Sequence, residues 1–290
     1  MLNRQSPYSG QGIRRNNGSC ADPEIATTGV DSTQWEVIAD VERMGMVIQQ
    51  DYLRDVNTHT CMGLYSRYAA GYGESEMAYP AEYVIRIFKG NYPRHNFDNS
   101  AFSDSSILDV GCGDGRHLVF FDTDLGFEAY GIEPTEELAE IARENVESAG
   151  SNATVRAGEN RDLPFEDDKF DFLLAFNSSY YMGENHDYDF QTHVEEYHRV
   201  LKPGGSVVLS IPKSTSFIYE GSETAEPGYQ IVKKDPFGKR DGTVLRQFDD
   251  VDGIEDAFAP QFDDFTTASV HDDCFGFNYH WWLAIGTNSQ

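Results

Sequence analysis

A glycine-rich turn within residues 107–117 carries residue types that could bind a nucleotide-like ligand. Asp109 lies in a short apolar run, and glycines follow at the alternate positions 111, 113 and 115. Glycine permits positive φ and lacks the Cβ that would keep a ligand away from the backbone. Amides at the start of the following helix would point outward with partial positive charge. A plain strand-turn-helix corner could use one such glycine, whereas three beside an acid favour a nucleotide-type site.

Two classes of ligand fit a glycine turn that follows a strand. Dinucleotide enzymes use the pattern G-x-G-x-x-G, in which the third glycine lets the helix pack closely. That third position is Arg116 here, and the sequence reads D-x-G-x-G-x-G from Asp109 to Gly115. An acid this early in the turn favours a ligand with a cationic amino group over a pyrophosphate. A dinucleotide-dependent oxidoreductase therefore stays only as an alternative.

Polar residues are expected at the ends of the neighbouring strands. Glu133 ends the second strand, twenty-two residues after Gly111. Its carboxylate could accept hydrogen bonds from both hydroxyls of a ribose, although a surface acid that caps the next helix is the plainer interpretation. Glu159 follows the third strand, where a polar side chain could meet an adenine amine, and Asn177 ends the fourth. The carboxyl ends of parallel strands are where open α/β sheets bind ligands.

Strands and helices alternate from residue 106 onward, which predicts parallel βαβ units. We predict five strands in this part of the chain, over residues 106–110, 128–132, 154–157, 169–176 and 206–211. The predicted helices cover residues 117–125, 135–149, 188–201 and 253–259. Residues 212–246 are rich in turn formers and predict an irregular insert. Two final strands are expected at 266–271 and 280–285, with a loop at about 272–279.

Three regions are predicted along the chain. Residues 1–31 are polar and predict a flexible leader. Residues 32–105 predict a helical lid segment, with a helix from about residue 80 to 89 and a stretch rich in Tyr and Gly at 57–79. Residues 106–290 predict the main domain, which contains the insert at 213–246.

The charge of the chain excludes several classes of partner. The 290 residues carry a formal net charge of −27, which repels phosphate backbones and anionic membrane surfaces. This acidity fits adaptation to high salt as well as plain solubility. The four cysteines lie far apart without metal-ligand spacing, so no metal is predicted. No apolar segment has the features of a secretion signal, which predicts a cytoplasmic protein.

Together these motifs resemble the class I S-adenosylmethionine-dependent methyltransferases, in the broad small-molecule, type 11-like group. The resemblance extends over about residues 105–286, and it is carried by the segments 107–115, 131–133, 162–165, 170–171 and 199–205. It implies an α/β fold, a Rossmann-like three-layer sandwich. The implied sheet has seven mostly parallel strands with an antiparallel last strand, and an N-terminal helical cap accompanies it.

The resemblance also implies a cofactor, S-adenosyl-L-methionine, and a role for each motif residue. Asp109 and the backbone of Gly111, Cys112 and Gly113 would hold the methionine moiety, and Glu133 would hold the ribose. The adenine would be met by Glu159 and by the backbone near Asn160. The methionine end and the acceptor would lie near Asn177. Members of this family cover the acceptor with an N-terminal segment and an insert after the fifth strand.

The expected partner is a small-molecule acceptor, to which a methyl group moves by in-line displacement. We expect Tyr180 and His186 as catalytic candidates and Tyr65, Tyr68 and Tyr181 as acceptor-side residues. His193 also belongs to the acceptor-side candidates, although each of these side chains could simply pack. Residues 177–180 read N-S-S-Y. This sequence is similar to the N-P-P-Y segment of amino-group methyltransferases but lacks both prolines, which disfavours nucleobase or amide methylation. A non-catalytic cofactor-binding or regulatory protein of the same fold is the functional alternative.

Overall fold

The computed structural model describes residues 79–183 and 189–289, together with Tyr65 and Met77. The predicted leader, most of the stretch at 57–79 and the candidate residues Tyr68 and His186 lie outside the described residues. The N-terminal helical cap and the boundaries of the three predicted regions therefore stay predictions.

Strands and helices alternate in the first half of the described chain. In order they are α1 (Glu82–Lys89), a 3₁₀ helix (Asn99–Asp104), β1 (Ser106–Val110), α2 (Arg116–Val119) with a π-helical continuation (Phe120–Leu125), β2 (Glu128–Glu133), α3 (Glu136–Ser148), β3 (Thr154–Ala157), β4 (Phe170–Phe176), α4 (Gln191–Val200) and β5 (Leu201–Pro212). The second half contains a 3₁₀ helix (Phe217–Tyr219), β6 (Glu223–Glu226), β7 (Tyr229–Ile231), β8 (Val244–Arg246), α5 (Val251–Phe258), β9 (Phe262–Cys274) and β10 (Phe277–Asn288).

Seven of these strands form one sheet in the order β3-β2-β1-β4-β5-β10-β9. Strands β1 to β5 run parallel, and β10 is antiparallel to both of its neighbours. The sheet confirms the predicted Rossmann-like fold with its antiparallel last strand. The order reverses between β1 and β4, so the carboxyl ends of these two strands flank the crevice in which ligands of such sheets bind.

Helices cover both faces of the sheet, which explains why β1 is buried throughout. All five residues of β1 are buried. Ile107 packs with α1, α2 and α3 on one face, whereas Leu108 packs with α4 and α5 on the other. Strand residues point alternately to opposite faces, so a strand between two helical layers must be apolar at consecutive positions. This requirement produces the continuous apolar run that precedes the glycine turn.

Three parts of the sequence prediction were wrong in detail. Residues 202–205 do not separate helix from strand, because β5 starts at Leu201 and its register against β4 shifts across these residues. The predicted loop at 272–279 is a tight turn at Phe275 and Gly276, both with positive φ, within a longer β9–β10 hairpin. The insert is not irregular, since β6, β7 and β8 pair as a small antiparallel sheet.

We predict that packing behind the glycine turn makes Gly115 less replaceable than other left-handed glycines. Gly115 has φ +86°, and an added Cβ would lie 2.7 Å from Val146 Cγ2 of α3. Gly150 has φ +77° with no atom within 4 Å of the added Cβ, so it serves as the matched control. Left-handed strain should cost each alanine variant about 1 to 2 kcal/mol, and the clash should cost Gly115→Ala a further 1 to 3 kcal/mol. Urea unfolding measures both, and equal losses would contradict the packing argument.

Candidate active site

The glycine turn is held in place by the ends of the two neighbouring strands. The amides of Gly111 and Cys112 both donate to the carbonyl of Ile132 in β2, at 3.0 Å each. On the β4 side, a Cβ on Gly111 would lie 2.7 Å from the Cβ of Ser178. The hydroxyl of Ser178 also donates to the carbonyl of Val110. Glycine is required at 111 because its φ is +72° and the Ser178 side chain leaves no room for another side chain.

Glu133, at the end of β2, bonds directly to this turn. Its Oε1 accepts a hydrogen bond from the Gly113 amide at 2.5 Å, and its side chain is buried at the wall of a cavity. Burial raises the pKa of Glu133 to about 8, since a carboxylate loses hydration there, and the negative charges of Asp109 and Asp114 act in the same direction. The Gly113 amide opposes this rise because it stabilises the ionised form. Glu133 therefore does not simply cap the next helix, which Thr135 caps by accepting from the Leu138 amide at 3.3 Å.

Asp109 lies beneath the turn and not on the cavity wall. Its side chain is 1 % exposed, and its Oδ2 lies 3.3 Å from His117 Nδ1. Its Oδ1 is buried and has no hydrogen-bond partner in the described part of the protein. Buried carboxylate oxygens are normally hydrogen-bonded, so this oxygen marks a place where positive charge or a donor would be favourable. Neither Cys112 nor Gly113 lines the cavity, and their contact with a ligand stays a prediction.

Hydrogen bonds connect the loop after β3 to the loop after β4, and they connect these loops to residues of α4 and β5. Asn160 Nδ2 donates to the Ser178 carbonyl at 3.2 Å, and its Oδ1 accepts from the Tyr197 hydroxyl at 3.0 Å. Asn177 has φ +60°, its amide donates to Ser210 Oγ at 2.8 Å, and that hydroxyl donates to Asn177 Oδ1 at 2.8 Å. The side chains of Asn160 and Asn177 therefore mainly hold the backbone of these two loops in place. Glu159 keeps a partly exposed carboxylate at the cavity, 3.7 Å from the guanidinium of Arg161.

A cavity of about 660 Å³ runs from these strand ends to a second, mostly aromatic chamber. Its size is typical of sites for small molecules and cofactors. At the strand-end side it brings together most of the predicted ligand-binding side chains, namely Gly111, Glu133, Glu159, Asn160 and Asn177. Among the predicted acceptor-side residues in the described chain, Tyr65, Tyr180, Tyr181 and His193 line it as well.

Two of these side chains have settled protonation properties. Tyr180 is buried and stacks on Tyr181 with ring centroids 5.0 Å apart. Burial raises the pKa of Tyr180 well above its usual value, so this phenol stays protonated. His193 of α4 is buried, and its Nδ1 lies 3.1 Å from the Ser179 carbonyl. Because a carbonyl only accepts, Nδ1 is the ring nitrogen that carries a proton.

The sequence analysis missed most of the aromatic chamber. The missed residues come from the insert and from the β9–β10 hairpin, and they are Phe217, Phe237, Lys239, Arg240, Val270, Asp272, Cys274, Tyr279, Trp281 and Leu283. The alternation of Tyr279, Trp281 and Leu283 along one strand could have indicated a shared face. No local pattern indicated that the insert would fold over that face.

The described segments show neither a metal site nor a membrane span. In residues 79–183 and 189–289, no group of three or more His, Cys, Asp or Glu side chains is placed to hold a metal ion. Across the same segments, every helix is too short or too polar to cross a membrane.

Comparison with known proteins identifies the central part of the chain. Residues 107–205 match a family model described as a methyltransferase domain. An uncharacterised protein of Methanocaldococcus jannaschii is 28% identical over 215 residues, which cover 67% of this chain and 91% of that protein. The demethylmenaquinone methyltransferase of Staphylococcus aureus is 34% identical over 133 residues. That match covers 45% of this chain and 47% of the enzyme, so it spans about half the length of this curated relative.

A solved structure shows the same fold. The crystal structure of a SAM-dependent methyltransferase from Methanosarcina mazei superposes with a TM-score of 0.51 at 20% sequence identity. The superposition covers 73% of this chain and 99% of that protein.

We predict that Glu133 makes the ligand-free protein less stable as the pH rises. Its pKa is about 8 in the folded protein and 4.5 as an ordinary carboxyl, so between these values the folded protein retains a proton that the unfolded chain has released. The unfolding free energy contributed by Glu133 therefore falls as the pH rises through this window. Glu133→Gln should be more stable than wild type by roughly 4 kcal/mol at about pH 9 and by less than about 1 kcal/mol at about pH 5.

Urea unfolding at the two pH values measures this difference. Glu137→Gln is the matched control, because Glu137 is an exposed carboxylate on α3 that keeps its hydration. A stability difference for Glu133→Gln that is the same at both pH values would contradict the argument from buried charge.

Proposed function

We propose that this chain, in which residues 107–205 match a methyltransferase domain, is a class I S-adenosylmethionine-dependent methyltransferase that transfers a methyl group to a small-molecule acceptor. One observation carries the proposal. A single cavity joins the glycine turn and Glu133 to a mostly aromatic chamber large enough for a second molecule. Such an arrangement suits a reaction that needs a donor and an acceptor in contact.

The side chains at the strand-end side of the cavity fit S-adenosylmethionine. Glu133 would accept hydrogen bonds from the ribose hydroxyls, and Glu159 with the backbone of Asn160 would meet the adenine. Asp109 would act from beneath the turn, where its unsatisfied Oδ1 favours a cationic methionine end. When bound, this cofactor supplies a methyl group on a sulfonium, which is reactive toward a nucleophilic atom placed in line with it.

The chain's own task is then mainly positioning. Alignment of two reactants in a bound geometry contributes roughly 7 to 11 kcal/mol to lowering a barrier. Here the alignment would depend on the rigid turn, held between β2 and β4, and on the aromatic walls that exclude water from the acceptor. Tyr180 donates from a protonated phenol and does not serve as a base, since burial raises its pKa.

A proton released by the acceptor needs a group that can take it up. His193 lines the cavity, its Nδ1 lies 3.1 Å from the Ser179 carbonyl, and an imidazole is a base of near-neutral strength. We therefore assign proton uptake to His193 for acceptors that lose a proton. His186, the other predicted candidate, lies outside the described residues.

The cofactor assignment predicts a clear preference in binding. Calorimetry should show that the full-length protein binds S-adenosylhomocysteine and does not bind NAD, because Arg116 occupies the position of the third dinucleotide glycine. Glu133→Ala should weaken that binding by roughly 1 to 3 kcal/mol, the scale of a lost charge-assisted hydrogen bond. Tight NAD binding without S-adenosylhomocysteine binding would refute the assignment. Incubation with a metabolite extract and methyl-labelled donor then separates an enzyme from a non-catalytic binder, since only an enzyme yields a labelled product.

His193→Asn tests the proton acceptor while it preserves the fold. The Asn amide can still donate to the Ser179 carbonyl but has no basic nitrogen. With the acceptor identified from the extract, kcat should fall by about 10² to 10⁴, the usual contribution of a general base, and S-adenosylhomocysteine affinity should be unchanged. His198→Asn is the control on the same helix, because His198 does not line the cavity. A kcat within about twofold of that control would remove His193 from the mechanism.

A further inference from the structure

A buried histidine after the glycine turn bonds to two different parts of the protein. His117 belongs to α2, which begins at Arg116, one residue after the last glycine of the turn. Its Nδ1 lies 3.3 Å from Oδ2 of Asp109 in β1. Its Nε2 lies 3.3 Å from the amide nitrogen of Ala81, the residue before α1. The imidazole of His117 therefore stands between the carboxylate beneath the turn and the start of α1.

These two contacts determine which nitrogen of His117 carries the proton. A backbone amide only donates, so Nε2 presents its lone pair to Ala81. Nδ1 then carries the proton of the neutral ring and donates to Asp109. An imidazolium would set an N–H group against the Ala81 amide, so this arrangement selects the neutral ring. Asp109 thus receives a hydrogen bond without a positive charge that would cancel its own.

The surroundings of this pair are apolar and exclude water. His117 is 5 % exposed and Asp109 is 1 % exposed. The rings of Phe121 and Phe176 neighbour the imidazole, with centroids 6.5 Å and 5.8 Å away. A charge acts over a longer distance in such surroundings than in water, because its field is weakly screened. Asp109 can therefore attract a positive group at the cavity wall, which includes Gly111, two residues further along the chain.

The contact with His117 uses only one oxygen of Asp109. Among the residues that the structure describes, Oδ2 bonds to His117 and Oδ1 has no partner. A carboxylate that is held at one oxygen cannot turn freely, so Oδ1 keeps one orientation. Buried carboxylate oxygens are normally hydrogen-bonded, and this exception occurs next to the turn on which a ligand would lie. His117 therefore fixes the side chain of Asp109 and leaves its charge available to a ligand.

We propose that His117 is a positioning residue for the cofactor: as a neutral donor it orients the Asp109 carboxylate and preserves the charge that attracts the α-amino group of the methionine moiety. This inference rests on the proposed function, since it concerns the cofactor side of the same cavity. The alternative is that His117 only packs against the turn and joins α1 to it. A positioning role acts on the amino group alone, whereas a packing role acts on every ligand that the turn binds.

Three ligands separate these two roles in the full-length protein. They are S-adenosylhomocysteine, its deamino analogue, in which hydrogen replaces the amino group, and methylthioadenosine, which lacks the amino acid portion. Calorimetry measures each affinity at one ionic strength, because the net charge of −27 repels the anionic deamino analogue in a salt-dependent way. We expect wild type to bind S-adenosylhomocysteine about tenfold or more tightly than the deamino analogue, the scale of one charge-assisted hydrogen bond.

Two variants divide the two bonds of His117, and neither changes the formal net charge. The amide of His117→Asn takes the position of Nδ1 and still donates to Asp109, but it does not reach Ala81. The longer amide of His117→Gln takes the position of Nε2 and accepts from Ala81, but it leaves Asp109 without a donor. The preference for S-adenosylhomocysteine over its deamino analogue should stay about tenfold in His117→Asn and fall to about twofold in His117→Gln. Methylthioadenosine should bind both variants as it binds wild type.

The state of the His117 ring can be measured in wild type, so this second test does not depend on how a variant folds. Nitrogen NMR separates the protonated nitrogen of a neutral imidazole from the unprotonated one, and the side-chain carbons assign the signals to His117. At neutral pH, Nδ1 should be protonated and Nε2 unprotonated. A proton on Nε2, in a neutral or a charged ring, would overturn the inference.

The binding outcomes separate this inference from the proposed function. The positioning role is wrong if wild type binds the deamino analogue as tightly as S-adenosylhomocysteine, or if the two variants keep the same preference. Equal losses of affinity for all three ligands would also overturn it, because His117 would then support the turn only by packing. In each of these cases S-adenosylhomocysteine binding by wild type leaves the methyltransferase proposal standing. A wild-type protein that binds none of the three ligands would instead overturn the proposed function itself.

Discussion

The hydrogen bond between the Glu133 carboxyl group and the Gly113 amide joins the end of β2 to the glycine turn. These two parts of the site must keep a fixed position relative to each other. The turn after β1 already bonds to β2 through the Ile132 carbonyl and contacts β4 through Ser178. Glu133 adds an ionisable group to this junction at the position where the cavity begins. Residues 111, 113 and 115 have no side chains, whereas Cys112 and Asp114 between them are buried. The geometry of the turn therefore depends on these buried side chains together with the neighbouring strand ends.

Two opposing effects act on the Glu133 carboxyl group in this hydrogen bond, because burial favours its protonated form and the Gly113 amide favours its ionised form. A buried carboxylate next to Asp109 and Asp114 holds its proton to about pH 8, and the ionised form that could best accept ligand hydroxyls is the less stable one. Asp109 adds a buried carboxylate oxygen that has no hydrogen-bond partner in the described part of the protein. Sites that bind a cationic ligand commonly keep such groups at some expense of stability, because the ligand supplies the missing charge. Glu133 and the unsatisfied oxygen of Asp109 therefore lower the stability of the ligand-free protein, and a cationic ligand would offset that cost.

The parts of the fold that were predictable are those whose signal is local. Strands β1 and β3 were predicted to the residue, because an apolar run bounded by turn formers has few other interpretations. Glu133 was found from its position at a strand end, although its burial and its bond to Gly113 were not. The β9–β10 hairpin was predicted too short, since Phe275 and Gly276 form a two-residue turn in which a phenylalanine takes positive φ. The position of this turn is determined by strand pairing along the whole hairpin and not by the turn residues themselves.

The two ends of the cavity are formed by different parts of the chain, and this difference bears on the specificity for the acceptor. The strand-end side comes from residues that immediately follow β1 to β4, so the sheet itself places them. The aromatic chamber combines the 3₁₀ helix at Phe217, the loop at Lys239 and the strand at Trp281, which are joined only through tertiary packing. The connection between β5 and α5 contributes no strand to the seven-stranded sheet, so it can vary while the order of the parallel strands stays the same. A chain built in this way can change its acceptor by changing the insert while it keeps one donor site.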